Sequence, residues 1–263
     1  SEVNNFLTFA LHNSAHNING GIMSIKKRSS CNNANFMFQI QTHGSKVEIH
    51  TKSTGSLNLR GRIINHDFII AQNFHMASIE ELGKTASQVR RDIVRMVHAV
   101  NSGHPGGSLG CTEFFVALYF DIMKRNKNFS MDGTGEDIFF LSNGHISPVW
   151  YSVLAHTGYF DKSELKTFRK LNSRLQGHPT THEHLPGVRV ASGSLGQGMS
   201  VAIGAALAKK INNDSSLVYT LHGDGEFQEG QIWEALMFAP HHKVDNLICT
   251  IDYNNAQIDV TVE

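Results

Sequence analysis

The sequence has little net charge, few cysteines and no long apolar run. Its 263 residues carry 23 Lys and Arg against 23 Asp and Glu, so the charge balance does not favour a nucleic-acid partner, while small anionic substrates fit. Three cysteines without metal-ligand spacing indicate free thiols in a reducing compartment, and we expect a cytoplasmic protein. Apolar runs such as 114–120 fall far short of the ~20 residues of a membrane span. We therefore expect no membrane partner.

Residues 1–75 differ in composition from the rest of the chain. They are rich in Asn, Ser and His, and hold seven Lys and Arg against three Asp and Glu. No helical period is sustained there, and only 47–49 and 68–71 have the pattern of short strands. We expect a poorly ordered extension; the alternative is a transit peptide, which would direct the protein to an organelle. The folded domain then covers residues 76–263.

From Ser78 onward, helical and strand patterns alternate. Ser78 and Glu81 form a capping box, and apolar residues then recur at steps of three and four up to Val100, which predicts an amphipathic helix. Further helices are predicted near 149–155, 198–210 and 230–239, and strands near Ile138–Leu141, 217–221 and 247–252. This alternation predicts an α/β domain, with a parallel sheet and helices on both faces.

Two predicted strands end in residues that suit a metal site. The first runs into the turn Gly223-Asp224-Gly225, and the second ends at Asn254, thirty residues after Asp224. Ligands bind at the carboxyl ends of strands in open α/β sheets. If the two strands are neighbours, Asp224 and Asn254 can meet at one ion, and their hard oxygen atoms suit Mg²⁺ or Ca²⁺. Taken alone, Gly-Asp-Gly fits an ordinary turn equally well.

The stretch 223–235, together with Asn254, resembles the thiamine-diphosphate motif in the form that transketolases carry. The same resemblance extends over nearly all of residues 76–263, through the loops 101–107, 141–145, 177–179 and 192–198. It implies a thiamine-diphosphate-binding fold of the PP type, which is C-terminally incomplete in this chain. It also implies thiamine diphosphate as cofactor, bound through Mg²⁺ or Ca²⁺.

The resemblance also implies which residues form the cofactor site. The implied metal ligands are Asp224, Asn254 and the main-chain carbonyl of Ala256. The implied cofactor contacts are His145, Gly193, Ser194, Leu195, Gly225 and Asn254. Ser194 replaces the family's usual proline, so we expect a less stiff loop there. Val260 replaces the family's usual glycine, which would strain a turn of positive φ just after the metal ligands.

Three histidines follow glycines in loops, which favours exposed imidazoles over packed ones. His145 is one of them, and helices are expected soon after His104 and His145. By resemblance, His104 and His178 bind the hydroxyls of the sugar substrate and move their protons, a task that suits imidazole because its pKa lies near neutrality. Arg169 matches a substrate-binding arginine of the family, although a solvated helix charge fits equally well.

The acids Glu229 and Glu234 match family residues in a relay between paired cofactor sites. We assign a catalytic role to Glu229 on that basis. The alternative for either acid is an ordinary surface carboxylate.

The implied activity is reversible transfer of a two-carbon ketol unit from a ketose phosphate to an aldose phosphate. Because the chain lacks the family's pyrimidine-binding domain, we expect a separate C-terminal subunit that carries it, in a hetero-oligomer. Three alternatives stay open. They are another thiamine-diphosphate enzyme such as deoxyxylulose-phosphate synthase, an inactive cofactor-binding fragment, and a subunit for an unusual sugar, such as a sulfonated one.

Overall fold

A computed structural model describes residues 78–126 and 128–254 with their side chains, and the backbone of short strands outside those ranges. The strands, in chain order, are Gly21–Met23 (β1), Lys26–Arg28 (β2), Asn35–Met37 (β3), Ile40–Thr42 (β4), Ile138–Leu141 (β5), Val218–Gly223 (β6), Leu247–Tyr253 (β7), Ala256–Gln257 (β8) and Val260–Thr261 (β9). The predicted domain start at Met76 and the strands predicted at 47–49 and 68–71 lie outside the described residues.

The centre of the fold is a parallel sheet of β5, β6 and β7. In its register, Phe139 pairs with Tyr219, and Tyr219 with Ile248. The predicted parallel sheet is confirmed, and the carboxyl ends of all three strands lie at one edge. On the far side of β7, β1 pairs antiparallel and β3 parallel, whereas β8 and β9 form a separate antiparallel pair.

Helices join and cover these strands. The α-helices of the described residues are Ile79–Val100 (α1), Pro105–Gly110 (α2), Thr112–Ala117 (α3), Ser147–His156 (α4), Gln197–Ile211 (α5) and Gly230–His241 (α6). Helix α3 continues as a π-helical turn, Leu118–Ile122, which the sequence pattern does not predict. Shorter 3₁₀ turns are Gly144–Ile146, Lys162–Thr167 and Gly225–Gln228. None of the helices in the described ranges has the length and apolarity to cross a membrane.

Side chains of the sheet alternate between two cores. Phe139 and Leu141 pack with α1, α3 and α4. Their neighbour Phe140, with Val218 and Cys249, packs with α5 and α6 on the other face. Because both faces of this parallel sheet are covered, its strands are buried at nearly every position. Helices on both faces, as predicted, are confirmed.

Helix α1 begins and ends where the sequence predicts. The Glu81 N–H donates to Ser78 Oγ at 3.2 Å, and the Ser78 N–H donates to Glu81 Oε2 at 2.8 Å. At the other end, Asn101 has a φ of 47°, which reverses the chain into the loop of His104. The expected helices after His104 and His145 begin at Pro105 and Ser147.

Candidate active site

Asp224 and Asn254 meet at the carboxyl edge of the sheet. Residues 223 and 252 are paired in the parallel register of β6 and β7, so the turns after the two strands lie side by side. The Asn254 N–H donates to Asp224 Oδ2 at 3.1 Å, and the Gly225 N–H donates to Asp224 Oδ1 at 2.9 Å. The two strands are therefore neighbours, which is what a shared ion requires.

A second carboxylate, Asp252, lies behind this pair and has no role in the prediction from sequence. It is 6% exposed, and its Oδ2 accepts from Asn254 Nδ2 at 3.3 Å. Burial raises the pKa of Asp252 to about 6; the hydrogen bond from Cys111 opposes this shift, and the nearby charge of Asp224 adds to it. Two acids close together, with Asp224 only 5% exposed, form an environment that a divalent cation would neutralise. The donor set thus fits a metal-bound diphosphate.

The described residues contain no group of three or more His, Cys, Asp or Glu side chains that could hold a metal ion. The predicted site is of another kind, because it combines one carboxylate with an amide oxygen and a main-chain carbonyl. That carbonyl belongs to Ala256 in β8. The next residue of β8, Gln257, pairs with Val260 of the antiparallel strand β9. An extended strand suits the β-branched Val260.

Glu226 joins three loops of the site and was not singled out from the sequence. It is 1% exposed. Its Oε1 accepts from the Gly196 N–H at 2.7 Å and from Ser142 Oγ, and its Oε2 accepts from the Gly223 N–H at 3.2 Å. Burial alone would raise the pKa of Glu226, but the neighbouring His222 and the hydrogen bonds from Ser142 and Gly196 lower it. Only its place after Gly225 could have marked it in the sequence.

The predicted cofactor loops touch one another through glycines. A Cβ atom on Gly144 would lie 2.5 Å from Ser192 Oγ and 2.9 Å from the Gly193 nitrogen. The loop that contains His145 therefore packs directly on the loop 192–195. Leu195 is fixed as well, because its carbonyl accepts from Gln231 Nε2 at 3.4 Å. Ser194 is exposed.

The three predicted histidines come together from three loops. The ring centroids of His104 and His145 are 5.2 Å apart, in an edge-to-face arrangement. His178 packs on Gly193, where a Cβ atom would lie 3.0 Å from the ring carbon Cδ2. His104 and His178 are exposed and His145 is partly buried. The expectation of exposed imidazoles is thus confirmed for two of the three.

The protonation of these histidines is coupled. Burial lowers the pKa of His145 to about 4, and the positive charges of His104 and His178 lower it further. Burial and then the charge of Arg169 lower the pKa of His104 and of His178. All three rings therefore favour the neutral form, which can accept a proton from a hydroxyl.

Arg169 belongs to this cluster and is not a solvated helix charge. It follows the turn Lys162–Thr167 with a φ of 56°. Its Nη1 donates to Ser102 Oγ at 2.7 Å, in the loop of His104. Its guanidinium lies on Gly177, where a Cβ atom would be 2.8 Å from Cζ.

The two acids predicted for a relay lie apart from the histidines. Glu229 and Glu234 are both exposed, at the start and in the second turn of α6. Glu229 does approach the cofactor loops, because a Cβ atom on Gly196 would lie 2.9 Å from its Cβ. Within the described residues the structure brings neither acid to the histidine cluster.

Comparison with known proteins gives one consistent family. Residues 83–263 match the family described as transketolase, thiamine diphosphate binding domain. An apulose-4-phosphate transketolase subunit of Phocaeicola vulgatus is 38% identical over 185 residues, which is 70% of this chain and 65% of that protein. A 6-deoxy-6-sulfo-D-fructose transketolase subunit of Clostridium sp., SqwG, is 39% identical over 179 residues, which is 68% of this chain and 64% of that protein.

Longer relatives match over the same part of the chain. Human transketolase is 38% identical over 177 residues, which is 67% of this chain and 28% of the human protein. The crystal structure of transketolase from Campylobacter jejuni superposes with a TM-score of 0.63 at 36% identity, covering 71% of this chain and 30% of that one. The chain therefore spans about two thirds of the length of the two bacterial relatives named as subunits, and less than a third of the longer proteins.

Proposed function

The chain belongs to the transketolase family through its thiamine-diphosphate-binding domain, and we propose that it is the cofactor-holding subunit of a transketolase. The proposed reaction is reversible transfer of a two-carbon ketol unit from a ketose phosphate to an aldose phosphate. It uses thiamine diphosphate and Mg²⁺ or Ca²⁺.

The observation that carries this proposal is the meeting of Asp224 and Asn254 at the ends of paired strands. The backbone donors Gly225 and Asn254 each take one oxygen of Asp224, so the carboxylate is oriented before any ion binds. Asp224, Asn254 and the carbonyl of Ala256 would hold the ion. An ionised carboxylate has about two acceptor sites on each oxygen, so it can accept hydrogen bonds and bind a metal at the same time.

Thiamine diphosphate supplies carbanion chemistry and a ring that accepts electrons when it is bound. The chain's residues bind and orient it. His145 and Gly225 would contact the diphosphate, and the loop of Gly193, Ser194 and Leu195 would lie against the rings. The Glu226 hydrogen bonds to Ser142, Gly196 and Gly223 hold these loops in one arrangement, which preorganises the site.

His104 and His178 would bind sugar hydroxyls and take or return their protons. Their lowered pKa values keep a lone pair free near neutral pH. Arg169 donates a hydrogen bond to Ser102 in the loop of His104, and it adds a positive charge beside both rings. It would contact the sugar substrate.

We further propose that the partner is a separate C-terminal subunit, because two of the relatives are named as transketolase subunits. Helix α6 offers a surface for assembly. Its exposed face carries Trp233, Met237 and Phe238, which are 40%, 67% and 44% exposed. Large apolar groups together on a surface favour protein contacts. Glu229 immediately precedes this helix and Glu234 lies on it, so a relay between paired sites would run through this assembly.

We place the enzyme in the cytoplasm. Residues 76–263 would form the catalytic domain, and the strands β1 and β3 of the preceding region join its sheet at β7. Cys111 and Cys249 are free, buried thiols. Free thiols fit a reducing compartment.

The test is exchange of the cofactor's C2 proton, followed by NMR in the full chain with Mg²⁺. We expect calorimetry to show cofactor binding that a chelator abolishes, and exchange no faster than in free cofactor. Addition of a transketolase C-terminal subunit should accelerate exchange and produce ketol transfer from xylulose 5-phosphate to ribose 5-phosphate. Binding that persists with chelator contradicts the metal assignment, and fast exchange by the lone chain contradicts the two-subunit assignment.

A further inference from the structure

A cavity of about 410 Å³ opens beside His178. Besides that histidine, it is lined by Arg169, Gln176, Gly177, Thr180, His182 and Glu183. The last three side chains, Thr180, His182 and Glu183, have no role in the prediction from sequence. Six of the seven lining residues have a side chain with a hydrogen-bonding group, so the cavity offers donors and acceptors to a ligand.

The floor of the cavity is fixed from below by helix α4. Ser147 Oγ donates to the Gly177 carbonyl at 2.7 Å, and the Tyr151 hydroxyl donates to the Gln176 carbonyl at 2.9 Å. Ser147 and Tyr151 are both fully buried. The loop 176–178 is therefore held by the core and keeps its shape without a ligand.

The cavity carries one charge of each sign, Arg169 and Glu183. Within residues 78–126 and 128–254, neither side chain has an ion-pair partner, and Arg169 Nε is buried without a hydrogen bond. Both lie near the Tyr151 hydroxyl: burial raises its pKa, Arg169 opposes that shift and Glu183 adds to it. A ligand with only negative groups would meet repulsion from Glu183.

The position of His178 links the cavity to the cofactor loops. Its ring packs on Gly193 on one side and lines the cavity on the other. A sugar that reaches the cofactor past His178 would therefore extend its remaining carbons into the cavity.

We propose that this cavity binds the hydroxyl-bearing carbons of the sugar, and that Glu183, Thr180 and His182 select for hydroxyls there. The inference rests on the proposed function, since it uses His178 as the boundary of the reaction centre. A carboxylate accepts hydrogen bonds from hydroxyls and repels anions. Glu183 therefore makes this end of the site selective for uncharged polyol, and an anionic group must lie elsewhere in the site.

The experiment uses the full chain with histidine rings labelled for NMR, in the presence of thiamine diphosphate and Mg²⁺. The probes are D-ribitol, an uncharged polyol, and inorganic phosphate. The signals of His178 and His182 are assigned as those that disappear in His178→Gln and His182→Gln. Ribitol should shift both signals, and phosphate should shift neither. Glu183→Gln should weaken ribitol binding about tenfold, as expected for loss of one charge-assisted hydrogen bond, and should admit phosphate.

The control Glu80→Gln changes an exposed acid at the start of α1, far from the cavity in sequence, and should leave both titrations as in the wild type. Phosphate shifts without ribitol shifts in the wild type overturn the inference, as does a ribitol affinity unchanged in Glu183→Gln. Cofactor binding is measured by calorimetry on the same samples. If the wild type binds cofactor and ribitol shifts nothing, the cavity inference alone fails; if cofactor does not bind, the proposed function fails.

Discussion

The two ends of the candidate site are built in different ways. At the metal end, Asp224 and Asn254 follow consecutive strands, and backbone hydrogen bonds between their turns hold them together. At the histidine end, His104, His145 and His178 come from separate loops, and side chains packed on glycines hold those loops. Strand pairing therefore fixes the first end, whereas tertiary packing of loops fixes the second. Substitutions at the two ends should therefore have different effects.

The largest effect is expected at the metal end, from Asp224→Ala. Loss of the carboxylate removes the anionic metal ligand, so thiamine diphosphate binding in Mg²⁺ should weaken by at least about 100-fold. Calorimetry with and without Mg²⁺ measures this. Asp121→Ala, at an exposed position of the π-helical turn, is the matched control and should bind as the wild type does. Similar affinities for both variants would remove Asp224 from the metal site.

Glu226→Gln tests whether a single buried carboxylate joins the two ends. An amide there turns an NH₂ group toward backbone donors, so the free energy of unfolding should fall by about 1–3 kcal/mol. The folded-state pKa of Glu226 is lowered, so its contribution is present above the unfolded pKa, about 4.3, and is lost as pH falls through the folded pKa.

Urea unfolding of both proteins at pH 7 and at acid pH measures this difference, which should shrink in acid. Glu234→Gln, on the exposed face of α6, serves as control and should change stability little. A stability difference that stays constant across pH would show that the charge of Glu226 is not what holds the loops.

The contrast between the two ends also explains what could be predicted from the sequence. The sheet, its helices and the Asp224–Asn254 pair follow from apolar periodicity and from the edge at which parallel strands end. Glu226 and Asp252 carry no such signal, because their importance comes from burial against residues distant in sequence, such as Ser142 and Cys111. The position of Arg169 likewise depends on Gly177 and Ser102. Alternation and motif spacing contain no information on these contacts.

A smaller effect is expected at the histidine end from Gly193→Ala. Gly193 has a φ of 130°, and the added Cβ would lie 3.0 Å from His178. Backbone strain and displacement of the ring should cost about 1–3 kcal/mol and shift the NMR signals of His178. The control is Gly204→Ala in α5, where nothing lies within 4 Å of the new Cβ.

Alanine at position 204 should stabilise the helix by about 0.5–1 kcal/mol. Opposite signs for the two glycines, measured in thermal or urea unfolding, are the expected result. If both substitutions stabilise the protein, the contact between Gly193 and His178 does not constrain the loop.

The smallest effect is expected from Arg169→Gln, on the pKa values of His104 and His178. It is also the sharpest test of the histidine end, and a pH titration measures it. Burial lowers the pKa of His104 and His178, and the charge of Arg169 lowers both further. Removing that charge favours the protonated ring, so both pKa values should rise. Folded-state pKa values below the unfolded value mean that stability is lost as pH falls, and Arg169→Gln should reduce that loss.

His145 provides an internal reference, because burial and the charges of His104 and His178 account for its shift to about 4, without Arg169. Its pKa should therefore not rise in the variant. Ser102→Ala removes the hydrogen bond from Arg169 Nη1 but keeps the charge, so it should leave the pKa values of His104 and His178 low. A rise in Ser102→Ala equal to that in Arg169→Gln would mean that loop position, and not charge, sets the protonation of the two rings.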